Sequence, residues 1–185
     1  MPDATVVVLC GGGSTRMGSD KTAAALGGTT VLDHLLDALP AGWPVVVVGP
    51  ERPTRRAARW TSESPAGGGP AAGVAAGLAL VETELVVVVA GDMPFAGPAA
   101  VRLVEALRHD SATDAVAAVD HDQPNPLLAA YRSDRVREVL PDRPQGRPAR
   151  ALLDLPHTLL AVGDEAVLDV DNPAALEAAR HRLAT

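Results

Sequence analysis

Aromatic side chains are almost missing from this chain: two Trp, one Tyr and one Phe in 185 residues. Val, Leu and Ala must therefore fill whatever core it builds. A single cysteine, Cys10, excludes an intrachain disulfide. No apolar run reaches the roughly 18 residues of a membrane span, and the first residues carry neither a basic region nor a long apolar stretch. A soluble, cytoplasmic protein with no membrane partner is expected. Positive charge is in deficit as well: 16 Lys and Arg against 23 Asp and Glu leave a formal net charge of −7. That balance argues against nucleic acid as a partner, because such binders present a basic face. The five histidines, His34, His109, His121, His157 and His181, lack metal-ligand spacing and read as surface or packing residues.

What is present is a rhythm of short apolar runs and helical patterns. Residues 6–9, 45–48 and 85–90 are nearly continuous apolar runs, as strands covered on both faces require. Residues 115–119, 127–131, 158–162 and 166–170 are weaker strand candidates. Between them, Val31, Leu32, Leu35, Leu36 and Leu39 share one helical face behind a Thr29-Thr30 cap signal. Pro70 and Pro98 stand where first helical turns begin, and Asn172-Pro173 opens a helix over 173–183. The order predicts a three-layer α/β/α sandwich, Rossmann-like, with a mostly parallel sheet and right-handed crossovers. Length and the absence of a linker point to a single domain over 1–185, with 141–150 its most loop-like stretch.

Open sheets of this kind bind ligands beyond the carboxyl ends of their strands. Three glycine- or acid-rich turns fall there: 10–21, 65–73 and 91–95. In the first, glycines let backbone N–H groups approach an anion, and Arg16 and Lys21 can neutralise a polyphosphate. A solvated glycine turn is the alternative. The loop is not a P-loop, which needs Gly-Lys adjacent: here Ser19 and Asp20 separate Gly18 from Lys21. Nor is it a dinucleotide fingerprint, since Arg16 stands where Gly or Ala is required. Gly67, Gly69 and Ala72 match that fingerprint, but polar residues precede them where a strand should lie.

The stretch LCGGGSTRMGSDK closely resembles the signature of small nucleotidyltransferases, and within them the molybdenum cofactor guanylyltransferase family. GGGPAAGVAAGL at 67–78, AGDMPF at 90–95, NPLLAAYR at 125–132 and DVDNPAALE at 169–177 extend the resemblance, in order, over nearly the whole chain. It implies that the backbone of Leu9, Cys10, Gly11, Gly12 and Gly13 wraps the nucleotide, with Arg16 and Lys21 on its phosphates. Cys10 stands where Ala is usual and reads as a small packing residue. The loop holding Ser64, Gly69 and Pro70 would lie over the base. Relatives often read Glu-Asp-Pro where this chain has Glu63-Ser64-Pro65, so a guanine-reading carboxylate must come from Glu63 or be replaced by backbone groups.

Asp92 is the implied Mg2+ ligand. Asp171, which shares a strand face with Asp169 if 166–170 is a strand, would be a second; a helix cap before Pro173 is its other reading. Arg132, Arg147 and Arg150, with Arg143, gather late in the chain. They would hold the phosphate of a molybdopterin-type acceptor, unless they form a solvated face. Residues 1–110 would then bind nucleotide and 111–185 acceptor.

The implied reaction moves GMP from GTP onto that phosphate and releases pyrophosphate, with Arg16, Lys21 and Asp92 at the chemistry. Cofactor-delivery or acceptor proteins would be transient partners. A cytidylyltransferase, a transferase for another phosphorylated acceptor such as phospholactate, and a non-catalytic nucleotide-binding regulator are the other readings.

Overall fold

A computed structural model describes residues 3–11 and 20–184. Chain order runs β1 (Thr5–Leu9), β2 (Ala25–Leu26), β3 (Thr29–Thr30), α1 (Val31–Ala38), β4 (Val45–Val48), β5 (Arg59–Thr61) and α2 (Pro70–Leu78). It continues β6 (Leu85–Ala90), α3 (Gly97–His109), β7 (Ala115–Asp120), β8 (Gln123–Arg132), α4 (Ser133–Val139), β9 (His157–Leu160) and α5 (Pro173–Leu183). Seven strands form one sheet in the order β5-β4-β1-β6-β8-β7-β9, and β2 and β3 form a separate ribbon. Within the large sheet only β8 runs against the others, entering as the return arm of a hairpin from β7. Strand order reverses at β1: the chain first builds outward through β4 and β5, then returns to place β6 on the other side. This is the switch point at which such sheets bind ligands.

The continuous apolar runs are explained by their two faces. Val6 and Val8 of β1, with Val87 and Val89 of β6, meet α1 and α3 through Leu32, Leu35, Leu103 and Leu107. Val7, Val86 and Val88 point the other way, onto α2 and α4 through Val74, Leu78 and Val136. Helix α2 rides low on the sheet because it carries glycine where it crosses: a Cβ on Gly77 would stand 2.4 Å from Val7 Cγ1. Among the described residues, no helix is long and apolar enough to cross a membrane.

The sequence expectations meet three differences. Residues 166–170 are not a strand: a turn over 164–167 leads into an extended segment, and Val170 N–H donates to Asp92 O at 2.9 Å. The β2–β3 ribbon was not expected; Gly27 and Gly28 turn it with φ of 57° and 81°, the geometry of a two-residue hairpin loop. Strand β5 is three residues long, too short for a periodicity to register.

Candidate active site

At the carboxyl ends of β1, β4, β5 and β6 the backbone opens two adjoining cavities, which share Cys10, Gly11, Asp20 and Pro70. The larger, about 1040 Å3, is lined by the Gly49–Glu51 turn, by Trp60 to Glu63, and by Gly67 and Gly69. The smaller, about 260 Å3, reaches Lys21, Thr22 and Asp92.

The narrow end is built first by close approach of two strands. Gly91 N–H donates to Leu9 O at 2.9 Å, and a Cβ on Gly91 would lie 2.6 Å from Cys10 Sγ. Only glycine lets the β6 terminus pass β1 so tightly, and the next residue is Asp92. Its carbonyl is held by Val170 N–H and its carboxylate pairs with Lys21 Nζ, the two side chains 12% and 28% exposed. Lys21 is the chain's only lysine. It sits at the start of a 3-10 turn, Lys21–Ala23, capped by Asp20, whose Oδ1 accepts from Thr22 N–H at 3.0 Å and Thr22 O–H at 2.7 Å.

Negative charge gathers around this pair. The Asp169 carboxyl is held above its usual range, first by burial, then by the charges of Asp92 and Asp171, with Lys21 opposing. Asp171 Oδ1 accepts from Asn172 Nδ2 at 2.5 Å, and Asn172 caps α5 through Ala175 N–H at 2.9 Å. The cap thus falls to Asn172 and not to Asp171, whose charge acts with that of Asp92 on Asp169. Among the described residues, no three His, Cys, Asp or Glu side chains form a closed metal site. Mg2+ does not require such a cluster, since it takes one or two carboxylates and completes its shell from substrate phosphates and water.

At the wide end, beside Glu51, stands Glu63. Its Oε1 accepts from Gly67 N–H at 3.1 Å, and its Oε2 lies 3.4 Å from where a Gly73 Cβ would be and 3.8 Å from that of Gly11. Ser64 is exposed, and its carbonyl accepts from Gln145 Nε2 at 3.4 Å. Gly69, with φ of 86°, turns the chain into α2, whose first residue Pro70 lines both cavities, so the positive end of that helix faces the cleft.

The other sequence candidates divide. Gly12, Gly13 and Arg16 lie outside the described residues. Leu9 and Cys10 line the narrow cavity, but the Leu9 carbonyl serves Gly91 and Cys10 N–H donates to Val48 O at 2.8 Å, so these groups hold the sheet. Burial pushes the Cys10 thiol up to about 11, against the pull of the Arg52 guanidinium beside it. Arg132 does not join the site. It stands opposite Leu85, at the start of β6 and the far end of the sheet. Its guanidinium donates to Asp110 O at 3.0 Å and Thr113 O at 3.2 Å, which caps the end of α3. Antiparallel β8 carries it there, so its expected acceptor contact is corrected. Arg147 is exposed on a loop that docks against the glycine turn, Gly146 N–H donating to Gly68 O at 2.8 Å, and Arg150 is exposed on the 3-10 turn Ala149–Leu153 that follows.

Two contributors had no sequence signal. Arg52, from the irregular segment after β4, bonds the Asp20 carboxylate and the Thr22 hydroxyl, and its guanidinium carbon lies 6.0 Å from the Trp60 ring centre. Trp60 itself sits on the short β5.

Comparison with known proteins agrees with this geometry. Residues 6–162 match the family described as the MobA-like NTP transferase domain. A Natronomonas pharaonis protein named "Probable molybdenum cofactor guanylyltransferase" is 34% identical, across 99% of this chain and all of that one. One of the same name from Pelotomaculum thermopropionicum is 32% identical across 75% of this chain and 68% of its own length. Among solved structures, molybdopterin-guanine dinucleotide biosynthesis protein A from Archaeoglobus fulgidus superposes with a TM-score of 0.74 at 25% identity, covering 97% of this chain and 98% of that one. The 2-C-methyl-D-erythritol 4-phosphate cytidylyltransferase of Thermus thermophilus shares the fold over the whole of both chains, with a TM-score of 0.77 at 20% identity. With the switch-point cleft, the Lys21–Asp92 pair and a match over most of its length, this chain belongs to the MobA-like NTP transferase family.

Proposed function

We propose that the protein transfers GMP from GTP to the terminal phosphate of a molybdopterin-type acceptor in a Mg2+-dependent reaction. One observation carries this reading: a single cleft joins the Glu63 carboxylate at its wide end to the Lys21–Asp92 pair at its narrow end. A carboxylate accepts from the N1–H and 2-amino groups of guanine together, a donor pair that cytosine lacks. Lys21 and Arg16 hold the triphosphate, which runs from the base towards Asp92.

An acceptor phosphate oxygen attacks the α-phosphorus. The bond from that phosphorus to the bridging oxygen breaks, and pyrophosphate carries away the electron pair. The nucleophile is already ionised at neutral pH, so no general base is needed. Rate comes from alignment and from charges placed in advance, the terms that dominate such transfers. Asp92 and Asp171 would hold Mg2+, which supplies further charge neutralisation at the phosphates. Residues 1–110 supply the nucleotide side and 111–185 the acceptor side, with Arg147 reaching the acceptor from the loop docked on the glycine turn and Arg150 from the 3-10 turn that follows.

The test is pyrophosphate release from GTP, ITP, CTP and ATP with Mg2+ and molybdopterin. GTP should be used best. ITP, which lacks the 2-amino group, should lose about tenfold or more in kcat/KM, the cost of leaving a buried polar group short of a partner. Preference for CTP would replace the guanylyl reading with a cytidylyl one.

A further inference from the structure

We infer that Arg52 is a positioning residue for Lys21, setting the ammonium group that meets the triphosphate; the inference rests on the nucleotidyltransferase reading above. A lysine side chain is a flexible four-carbon stem with no fork to lock its direction. Lys21 must nevertheless meet one carboxylate and several phosphate oxygens. Its side chain is held at the tip by Asp92, and its carbonyl accepts from Ala24 N–H at 3.2 Å. The residues on either side of it are fixed by a single guanidinium: Arg52 Nη1 bonds Asp20 Oδ2, and Arg52 Nη2 bonds Thr22 Oγ1. The turn that carries Lys21 is thus held by Arg52, and its ammonium is held by Asp92.

Arg52 is itself anchored. Its guanidinium lies against Trp60 of β5 and beside Cys10 at the end of β1. A line of contacts thus runs across the top of the sheet, from Trp60 through Arg52 and the 20–22 turn to Lys21 and Asp92. An exposed Arg–Asp pair by itself contributes little. This pair differs because one planar group takes two acceptors that flank a ligand-binding residue, and the Arg52 and Asp20 side chains are 21% and 39% exposed. Lysine in place of Arg52 would keep the charge and lose the fork.

Nucleotide titration of the full chain with Mg2+, followed by Trp60 fluorescence, tests this. Variants are Arg52→Ala, Arg52→Lys, Lys21→Ala and the Arg52→Ala/Lys21→Ala pair, each checked for folding by its melting temperature. Both Arg52 variants should weaken GTP binding about tenfold and GMP binding less than about twofold; in the Lys21→Ala background, Arg52→Ala should add less than about twofold. Equal losses for GTP and GMP, or full additivity with Lys21→Ala, would overturn the inference and leave the proposed reaction standing. Should Arg52→Ala fail to fold, Arg52→Lys decides alone: unchanged GTP affinity overturns the role. A wild-type chain that binds neither GTP nor CTP would overturn both the reaction and this role. Binding of CTP with the same pattern would change the base and keep Arg52 where it is placed here.

Discussion

Lys21 and Asp92 neutralise each other in the free protein, and that pairing sets what their loss should do. Removing Asp92 takes away the carboxylate proposed to act at the reacting phosphate and leaves an ammonium without its partner. Asp92→Ala should lower kcat/KM about a thousandfold or more while the melting temperature changes little, as steady-state kinetics and calorimetry will read. Lys21→Ala should instead weaken GTP far more than GMP, by about 1.5–3 kcal/mol, the range of a charge-assisted contact. Cys10 presents the opposite case, a nucleophilic atom held inert. With its thiol pushed up to about 11 by burial, only about one part in a thousand is thiolate at pH 8, against roughly a quarter for a free cysteine. Iodoacetamide at pH 8 should therefore label the native chain slowly and the urea-unfolded chain fast. Rapid native labelling would mean that the β1 terminus is open to solvent.

Between residue and fold, arginines act as staples at helix ends. Arg56 donates to Leu36 O, Leu39 O, Pro40 O and Trp43 O at 2.6–3.0 Å, which satisfies the end of α1. Arg137 does the same beyond α2, at Leu78 O and Val81 O. Arg132 does it beyond α3. Helix carboxyl ends leave carbonyls without intrahelical partners, and a guanidinium near them is favourable both as donor and as charge. Arg132→Ala should thus cost about 1–3 kcal/mol in urea unfolding, with kcat and both KM values unchanged. A raised acceptor KM at unchanged stability would return it to the site. Its misreading has a physical origin. Sequence spacing shows that 127–131 is a strand, but not which way the strand runs, and direction alone decides which end of the sheet residue 132 reaches. Asp92 was legible because an apolar run ending in Gly-Asp places the acid at a strand terminus whatever the neighbours do. Glu63, Arg52 and Trp60 were harder: they come from 49–69, where β5 is three residues long and the rest is irregular. Only packing against β4 and α2 determines where their side chains go.

Seen as a whole, the molecule closes its site from both ends of the chain. Helix α5 lies beyond the stretch that matches the family, yet Leu176 and Ala179 pack with Leu26 of the β2–β3 ribbon and Val31 of α1. Arg180 donates to Ala25 O at 2.9 Å, and Val170 N–H holds Asp92 from the segment just before the helix. The extended run 168–171 packs on Leu26 and Phe95 instead of pairing into the sheet, so the strand expected there is not formed. Leu176→Asp buries a charge at this seam and should lower the melting temperature by about 6–12 °C. Amide exchange should quicken at residues 25–31 and stay slow in β6; uniform protection would show that the seam carries no load. The presence of only one lysine has a practical consequence. All other side-chain cations are guanidinium groups, so amine chemistry on this protein finds one ε-amino group, and that group is committed to a carboxylate in the cleft. Dyes, cross-linkers or resins that couple through lysine will attach either at the chain's α-amino group or at Lys21 in the narrow end of the cleft, and on the proposed reaction bound nucleotide should decide between the two.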